Sequence, residues 1–248
     1  MRHSLFRVVV LVFLALSSSA WANGGTDEAL VVGYVDFPPF TYTDERGKAA
    51  GYLNEITREV AARTGQELEF IEVPPARLER GLRTGDVDVF QGIRIFAEQS
   101  DRMVAGDSLL LPITLAVYQR PGAEPFKSVE DFVGKRVGVL RGYAYGGLID
   151  KLRDNSDVSL MTVNTRDSAY RVLIGDRVDF FLDYVHPASE ALAELGSPTL
   201  QHTPIRTLDT YWTISNVDGD ARRILERFEG AYAELKEEGE LVTSFSSE

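Results

Sequence analysis

The 248-residue chain has no cysteine. That excludes disulfides, thiolate nucleophiles and cysteine-based zinc sites, and also the lipid-bearing cysteine that tethers many exported bacterial proteins. Histidine is nearly as scarce, with three residues: His3 lies in the basic N-terminal stretch, and His186 and His202 stand near no nucleophile motif. Positive charge is the minority sign, 26 Lys and Arg against 38 Asp and Glu for a formal net charge of −12. Such a chain has no basic footprint for nucleic acid or an anionic membrane, and its acidity is read as solubility. There is no G-x-S-x-G, no P-loop and no H-E-x-x-H. The acidic pairs Asp86 with Asp88 and Asp218 with Asp220 are too sparse for a calcium loop and read as turn and cap residues, so neither metal nor cofactor is expected.

Long apolar runs are confined to the start. Met1 to Arg7 is basic, Val8 to Leu16 is apolar, and an A-x-A pattern follows at Ala20 to Ala22. This layout predicts a secretory signal peptide over 1–22, cleaved after Ala22; the run is too short for the rival reading, an uncleaved anchor. The mature protein is therefore expected to be soluble, periplasmic and free of membrane insertion. With 44% hydrophobic residues it can bury a substantial core.

A quasi-repeat divides the rest. Leu82 to Phe90, L-R-T-G-D-V-D-V-F, is answered by Leu173 to Phe181, L-I-G-D-R-V-D-F-F. Each copy reads as the end of an amphipathic helix, a Gly-Asp turn and an apolar strand. Around the first, strands are predicted over 30–35, 67–73 and 87–93 with helices over 53–64 and 76–84. Around the second, strands are predicted over 136–140, 158–163 and 178–183 with helices over 145–153 and 167–174. A last helix over 220–238, stopped by Gly239, is expected to return to the first lobe. Alternating strands and helices predict an α/β protein of two lobes, each a mostly parallel sheet with helices on both faces. In such sheets ligands bind beyond the carboxyl ends of the strands.

The first strand delivers D-F-P-P-F-T-Y, Asp36 to Tyr42, to that edge. Pro38 and Pro39 lack backbone N–H groups and have restricted φ, so they end the strand and brace the flanking rings. Phe37, Phe40 and Tyr42 are accordingly candidate ligand contacts. Gln91, Gly92 and Arg94, in Q-G-I-R at the end of the strand after the first repeat, reach the same edge. In the second lobe G-Y-A-Y-G-G, with Tyr143 and Tyr145, follows a strand and opens a helix, a place where backbone N–H groups can form an anion nest.

These segments, with D-E-R-G-K-A-A-G-Y-L-N-E-I at 44–56, V-E-D-F-V-G-K-R-V-G-V-L-R-G at 129–142 and the terminal E-L-K-E-E-G, resemble extracellular solute-binding proteins of family 3, the periplasmic amino-acid-binding components of ABC importers. The resemblance spans nearly the whole mature chain. It implies the type II periplasmic binding protein fold, with a first lobe over 23–112, a second over 113–207 and a return over 208–248. Two hinge strands are implied near Leu111 to Tyr118 and Ile205 to Trp212. It further implies a small amino acid or related carboxylate as ligand, a membrane permease as partner, and a monomer. By resemblance Phe37 is the ring that stacks on the ligand. The family's carboxylate-binding arginine follows T-P-E-R; here F-A-E-Q-S-D-R puts Arg102 two residues late, without the Thr or Pro, so Arg77 in P-P-A-R-L and Arg94 stay open as substitutes. Asp183, or Tyr184 if the strand slips by one, is placed at the ligand ammonium. A buried carboxylate is costly without a cation, so a cleft-facing Asp183 predicts a cationic group on the ligand.

Two other functions fit the same fold: a dehydratase-type enzyme and a sensor subunit that presents ligand to a receptor. Fold alone does not separate them. Conversion of the ligand would mark the first and a receptor partner the second.

Overall fold

The computed structural model describes residues 28–196 and 200–241; the expected signal peptide lies outside them. In chain order the first part comprises β1 (Leu30–Tyr34), β2 (Tyr42–Thr43), β3 (Ala49–Ala50), α1 (Tyr52–Thr64), β4 (Leu68–Glu72), α2 (Pro75–Thr84), β5 (Val89–Gly92), α3 (Ile95–Glu98) and β6 (Met103–Ala105). The second part comprises β7 (Pro112–Gln119), β8 (Arg136–Leu140), α4 (Leu148–Arg153), β9 (Ser159–Val163), α5 (Arg166–Ile174), β10 (Phe180–Tyr184), α6 (Val185–Glu194) and β11 (Gln201–Asp209). The chain ends with β12 (Tyr211–Ser215) and α7 (Ala221–Glu238).

Beside a separate β2-β3 hairpin, ten of the described strands form two five-stranded sheets, ordered β4-β1-β5-β12-β6 and β11-β7-β10-β8-β9. Each has a parallel three-stranded unit, β4-β1-β5 in one and β9-β8-β10 in the other. Each is completed by two antiparallel strands. The parallel units are the βαβ units expected from the alternation of apolar segments. The antiparallel strands exist because the chain crosses between the sheets, once between β6 and β7 and once between β11 and β12. At the crossings Leu110 N donates to Thr210 O at 2.9 Å and Thr210 N to Leu111 O at 3.0 Å. The two connections are thus zipped together.

Helix α1 buries Leu53, Ile56, Val60 and Ala61 on one face and stops at Gly65, whose φ of 69° is the left-handed conformation glycine adopts without strain. Helix α7 buries Ile224, Leu225, Phe228, Tyr232 and Leu235. It packs on β12: the Trp212 ring meets Phe228 edge-on at 5.7 Å and Tyr232 at 5.4 Å. Arg63 near the end of α1 bonds Glu238 at 2.6 Å. Each fully buried ring or aliphatic side chain in this layer contributes about 1.5–3 kcal/mol. Residues 145–153 form a 3-10 turn at Tyr145–Gly147 followed by α4, not one helix, because Gly146 and Gly147 have φ of 62° and 82°.

Candidate functional site

The carboxyl ends of both parallel units face each other across the crossings. From the first lobe, β1 runs into Asp36 and Phe37. Phe37 N donates to Thr41 O at 2.7 Å, and Phe40 N and Thr41 N return bonds to Phe37 O at 3.0 and 3.2 Å, so the proline segment is a closed turn. This turn holds the Phe37 ring, 7% exposed, against the opposite lobe. Tyr184 meets it edge-on at 5.1 Å and Tyr143 at 6.3 Å.

Beside these rings lies a cleft with about 610 Å³ of empty space, its opening to solvent included. The first lobe contributes Val35, Phe37, Leu78, Phe90 and Phe96 to its wall, with Gln91, Gly92 and Ile93 at the end of β5. Ile113 and Thr210 form the back at the crossings, and Gly142, Tyr143, Ala144 and Tyr184 close it from the second lobe. Pro75, the first residue of α2, reaches the same space. Gly142 sits against α2 at φ 83°; a Cβ there would lie 2.3 Å from Ala76 N, so only glycine permits this approach of the lobes.

A buried ion pair stands next to the cleft. Asp183 is fully buried and Arg166, the first residue of α5, is 10% exposed. Arg166 Nε donates to Asp183 Oδ2 at 3.0 Å and its Nη2 to Oδ1 at 3.2 Å. The Tyr170 hydroxyl donates to Oδ2 at 2.8 Å, and Tyr184 N to Oδ1 at 2.8 Å. Burial opposes the Arg166 charge, but the attraction of Asp183 prevails and raises its pKa above the ordinary arginine value. Burial likewise raises the hydroxyl pKa of Tyr143 and Tyr184, which stay protonated at neutral pH.

The second lobe also grips the first directly. Arg166 Nη1 and the Tyr143 hydroxyl both donate to Asp36 O, each at 3.2 Å. The guanidinium lies 5.5 Å from the ring centres of Phe37 and Tyr143. Outside this contact the gap widens into a groove bordered by Glu72, Asp167, Glu190 and Glu194 together with Arg141. Burial, aided by Glu72 and Glu194 and partly opposed by Arg166, raises the Asp36 carboxyl above its usual range.

Of the residues nominated from sequence, Phe37, Gln91, Gly92, Tyr143 and Tyr184 come together around the cleft. Tyr145 does not reach it. It is fully buried and accepts Leu140 N at 2.7 Å, so of the two tyrosines this is the one that packs beneath. Phe40, 1% exposed, packs on His186 at 5.4 Å, and Tyr42 lies on β2 outside the lining. The arginines disperse. Arg77 and Arg102 are exposed and not in the lining, and Arg94 lies over the Tyr211 ring at 3.8 Å with Nη2 on Gly106 O at 3.1 Å. The glycine nest is partly spent internally: Gly147 N donates to Ala144 O at 2.9 Å and Tyr143 N to Leu140 O at 3.5 Å.

Asp183 requires a correction. A buried carboxylate does need a cation, but the cation is supplied by the chain itself. Arg166 was missed because the two residues meet only through packing of α5 on β10. The signal for it is the quasi-repeat, which makes the start of α5 the counterpart of the start of α2, where Arg77 stands.

The chain belongs to the bacterial extracellular solute-binding proteins, family 3, whose model matches residues 30–245. It is 22% identical over 242 residues to the histidine-binding periplasmic protein of Escherichia coli K12, covering 91% of this chain and 89% of that one. The histidine-binding periplasmic protein of Salmonella typhimurium LT2 matches at the same identity and coverage. Among solved structures, an ancestral arginine-binding protein bound to arginine superposes with a TM-score of 0.71 at 23% identity, over 86% of this chain and 94% of that one. A histidine kinase sensor domain with similarity to periplasmic binding proteins gives 0.72 at 24%, over 86% and 92%. The fold is the two-lobed one of periplasmic binding proteins. Among the described residues no helix is long and apolar enough to cross a membrane.

Proposed function

We propose that the protein is an exported binding component that closes its two lobes on one small solute and hands it, as a periplasmic monomer, to the permease of an ABC importer. The observation that carries this reading is the position of Phe37: a ring on the first lobe lines a cleft whose other wall is Tyr143 and Tyr184 of the second. The zipped crossings at Leu110, Leu111 and Thr210 are the hinge in this reading, because they are where the chain passes between the sheets. Membership of the family and relatives named for histidine and arginine binding support a solute of amino-acid size.

The test is a thermal-shift and calorimetric screen of residues 23–248 against amino acids, small carboxylates and neutral ring compounds, since a ligand that binds only the folded state raises Tm. The hit should be recovered chemically unchanged. Phe37→Ala should weaken it by about 1–3 kcal/mol, the scale of a lost buried ring contact. Gly142→Ala should weaken it as well, because the added methyl collides with α2 in the closed form. A hit whose Kd ignores both substitutions would remove the cleft from consideration.

A further inference from the structure

Two side-chain donors of the second lobe converge on one oxygen of the first. Arg166 Nη1 and the Tyr143 hydroxyl both donate to Asp36 O, each at 3.2 Å. Arg166 is held in this pose from behind: its Nε and Nη2 are taken by the Asp183 carboxylate, which the Tyr170 hydroxyl and Tyr184 N fix in turn. Nη1 is left as the part of the guanidinium that faces the other lobe. A neutral peptide oxygen is a modest partner for a guanidinium; a carboxylate forms charge-assisted bonds about twice as strong. The place held by Asp36 O therefore suits a carboxylate oxygen. It stands at the boundary of cleft and groove, because Tyr143 lines both.

The surroundings differ on the two sides of that boundary. The groove carries five carboxyl groups, Asp36, Glu72, Asp167, Glu190 and Glu194, against Arg141 and the already paired Arg166, a field that favours an ammonium. Among the described residues that line the cleft there is no Asp, Glu, Lys, Arg or His. The polar groups of that lining, the Gln91 amide and the hydroxyls of Thr41, Tyr143, Tyr184 and Thr210, are neutral and offer hydrogen bonds without a counter-charge. A charged side chain drawn into the cleft would lose its hydration and meet no opposite charge. An apolar one gains by leaving water for the walls of Val35, Leu78, Phe90 and Phe96.

Accepting that the cleft is the solute site, we infer that it takes an α-amino acid with an uncharged, apolar side chain, whose carboxylate replaces Asp36 O on Arg166 Nη1 and the Tyr143 hydroxyl. Its ammonium faces the acidic groove and its side chain lies in the cleft against Phe37. Arg166 is then a ligand-binding residue, supplied by the second lobe.

The experiment uses calorimetry on residues 23–248. Leucine, methionine and phenylalanine are compared with arginine, lysine and glutamate, and leucine and phenylalanine with leucinamide and phenylalaninamide. At least one apolar amino acid is expected to bind about tenfold or more tightly than each charged one and than its own amide, the scale of a lost charge-assisted hydrogen bond. Tyr143→Phe leaves the ion pair whole and should narrow the ratio of acid to amide affinity. Arg166→Met with Asp183→Leu removes the guanidinium without stranding a charge and should bring that ratio close to one. A general loosening of the fold would weaken acid and amide alike, so the ratio isolates the carboxylate contact. If a charged amino acid binds more tightly than the apolar ones, or the ratio survives both variants, the inference falls, while weakening by Phe37→Ala keeps the cleft. If no amino acid binds, the inference falls; if amino acids bind but ignore Phe37→Ala and Gly142→Ala, the cleft reading falls with it.

Discussion

Val32 pairs with Val89 in the first sheet and Val137 with Phe180 in the second, and from this register the two lobes can be laid over each other residue by residue. Asp88 matches Asp179. Each accepts a backbone N–H near the start of the neighbouring strand, from Val31 and Arg136 respectively, at 2.8 Å, and each returns its own N–H to the same residue at 2.8 Å. Gly33 matches Gly138, and both are glycine for one reason: a Cβ at Gly33 would lie 2.7 Å from Val87, and at Gly138 2.4 Å from Phe181. The frame is shared, and the difference lies at the cleft end. Gly92 of the first lobe corresponds to Asp183 of the second, and Phe37 to Gly142. One lobe presents a bare strand end and a ring; the other presents a buried ion pair and a gap into which α2 fits. Duplication of a frame leaves the ends of its strands free to differ, and the pocket is made from that difference.

The sharpest test of this asymmetry is to remove one partner of the pair. Arg166→Met leaves Asp183 buried without a cation and should cost about 3–5 kcal/mol in urea unfolding. The double variant Arg166→Met with Asp183→Leu should cost much less, because no charge is left stranded. Equal losses for the single and double variants would mean that the pair is not what holds this end of the lobe. The shared frame predicts a smaller and symmetric effect. Gly33→Ala and Gly138→Ala should each cost about 1–3 kcal/mol by overpacking, and a lobe that absorbs the methyl at no cost would break the equivalence.

The smallest effect concerns pH. Hydrogen bonds from Arg136 hold Asp179 below the usual carboxylate range, whereas burial raises Asp88, which is flanked by Asp218, Asp220 and Glu28. For a lowered pKa the stabilisation is present above the unfolded value and is lost as pH falls through the folded one; for a raised pKa the charged form is the costly one at neutral pH. Asp179→Asn should therefore cost about 0.5–1 kcal/mol at pH 7, the difference from the parent vanishing on acidification. Asp88→Asn should be neutral or slightly stabilising at pH 7, and less favourable as pH drops. Parallel pH profiles of Tm for the two variants would contradict this opposition.

Much of this frame was legible in the residues. Helices α1, α2, α5 and α7 and the six parallel strands fall within two residues of the expected segments, since apolar periodicity, Gly-Asp turns and glycine stops are local signals. Phe37, Gln91, Gly92 and Tyr143 could be nominated because strand ends in an α/β sheet mark the ligand edge. The arginines could not be sorted. Arg77, Arg94 and Arg102 all leave elements near that edge, and whether a long side chain turns inward depends on what the neighbouring lobe leaves open.

By itself the chain's order of residues determined two α/β units and a proline-braced aromatic at a strand end, because these follow from composition and from interactions within a few positions. Tertiary structure alone decided that Asp183 is satisfied by Arg166 and that Tyr143 and not Tyr145 faces the gap. Charge and hydrogen-bond satisfaction are properties of the space around a group, and that space is bounded by residues far apart in the chain.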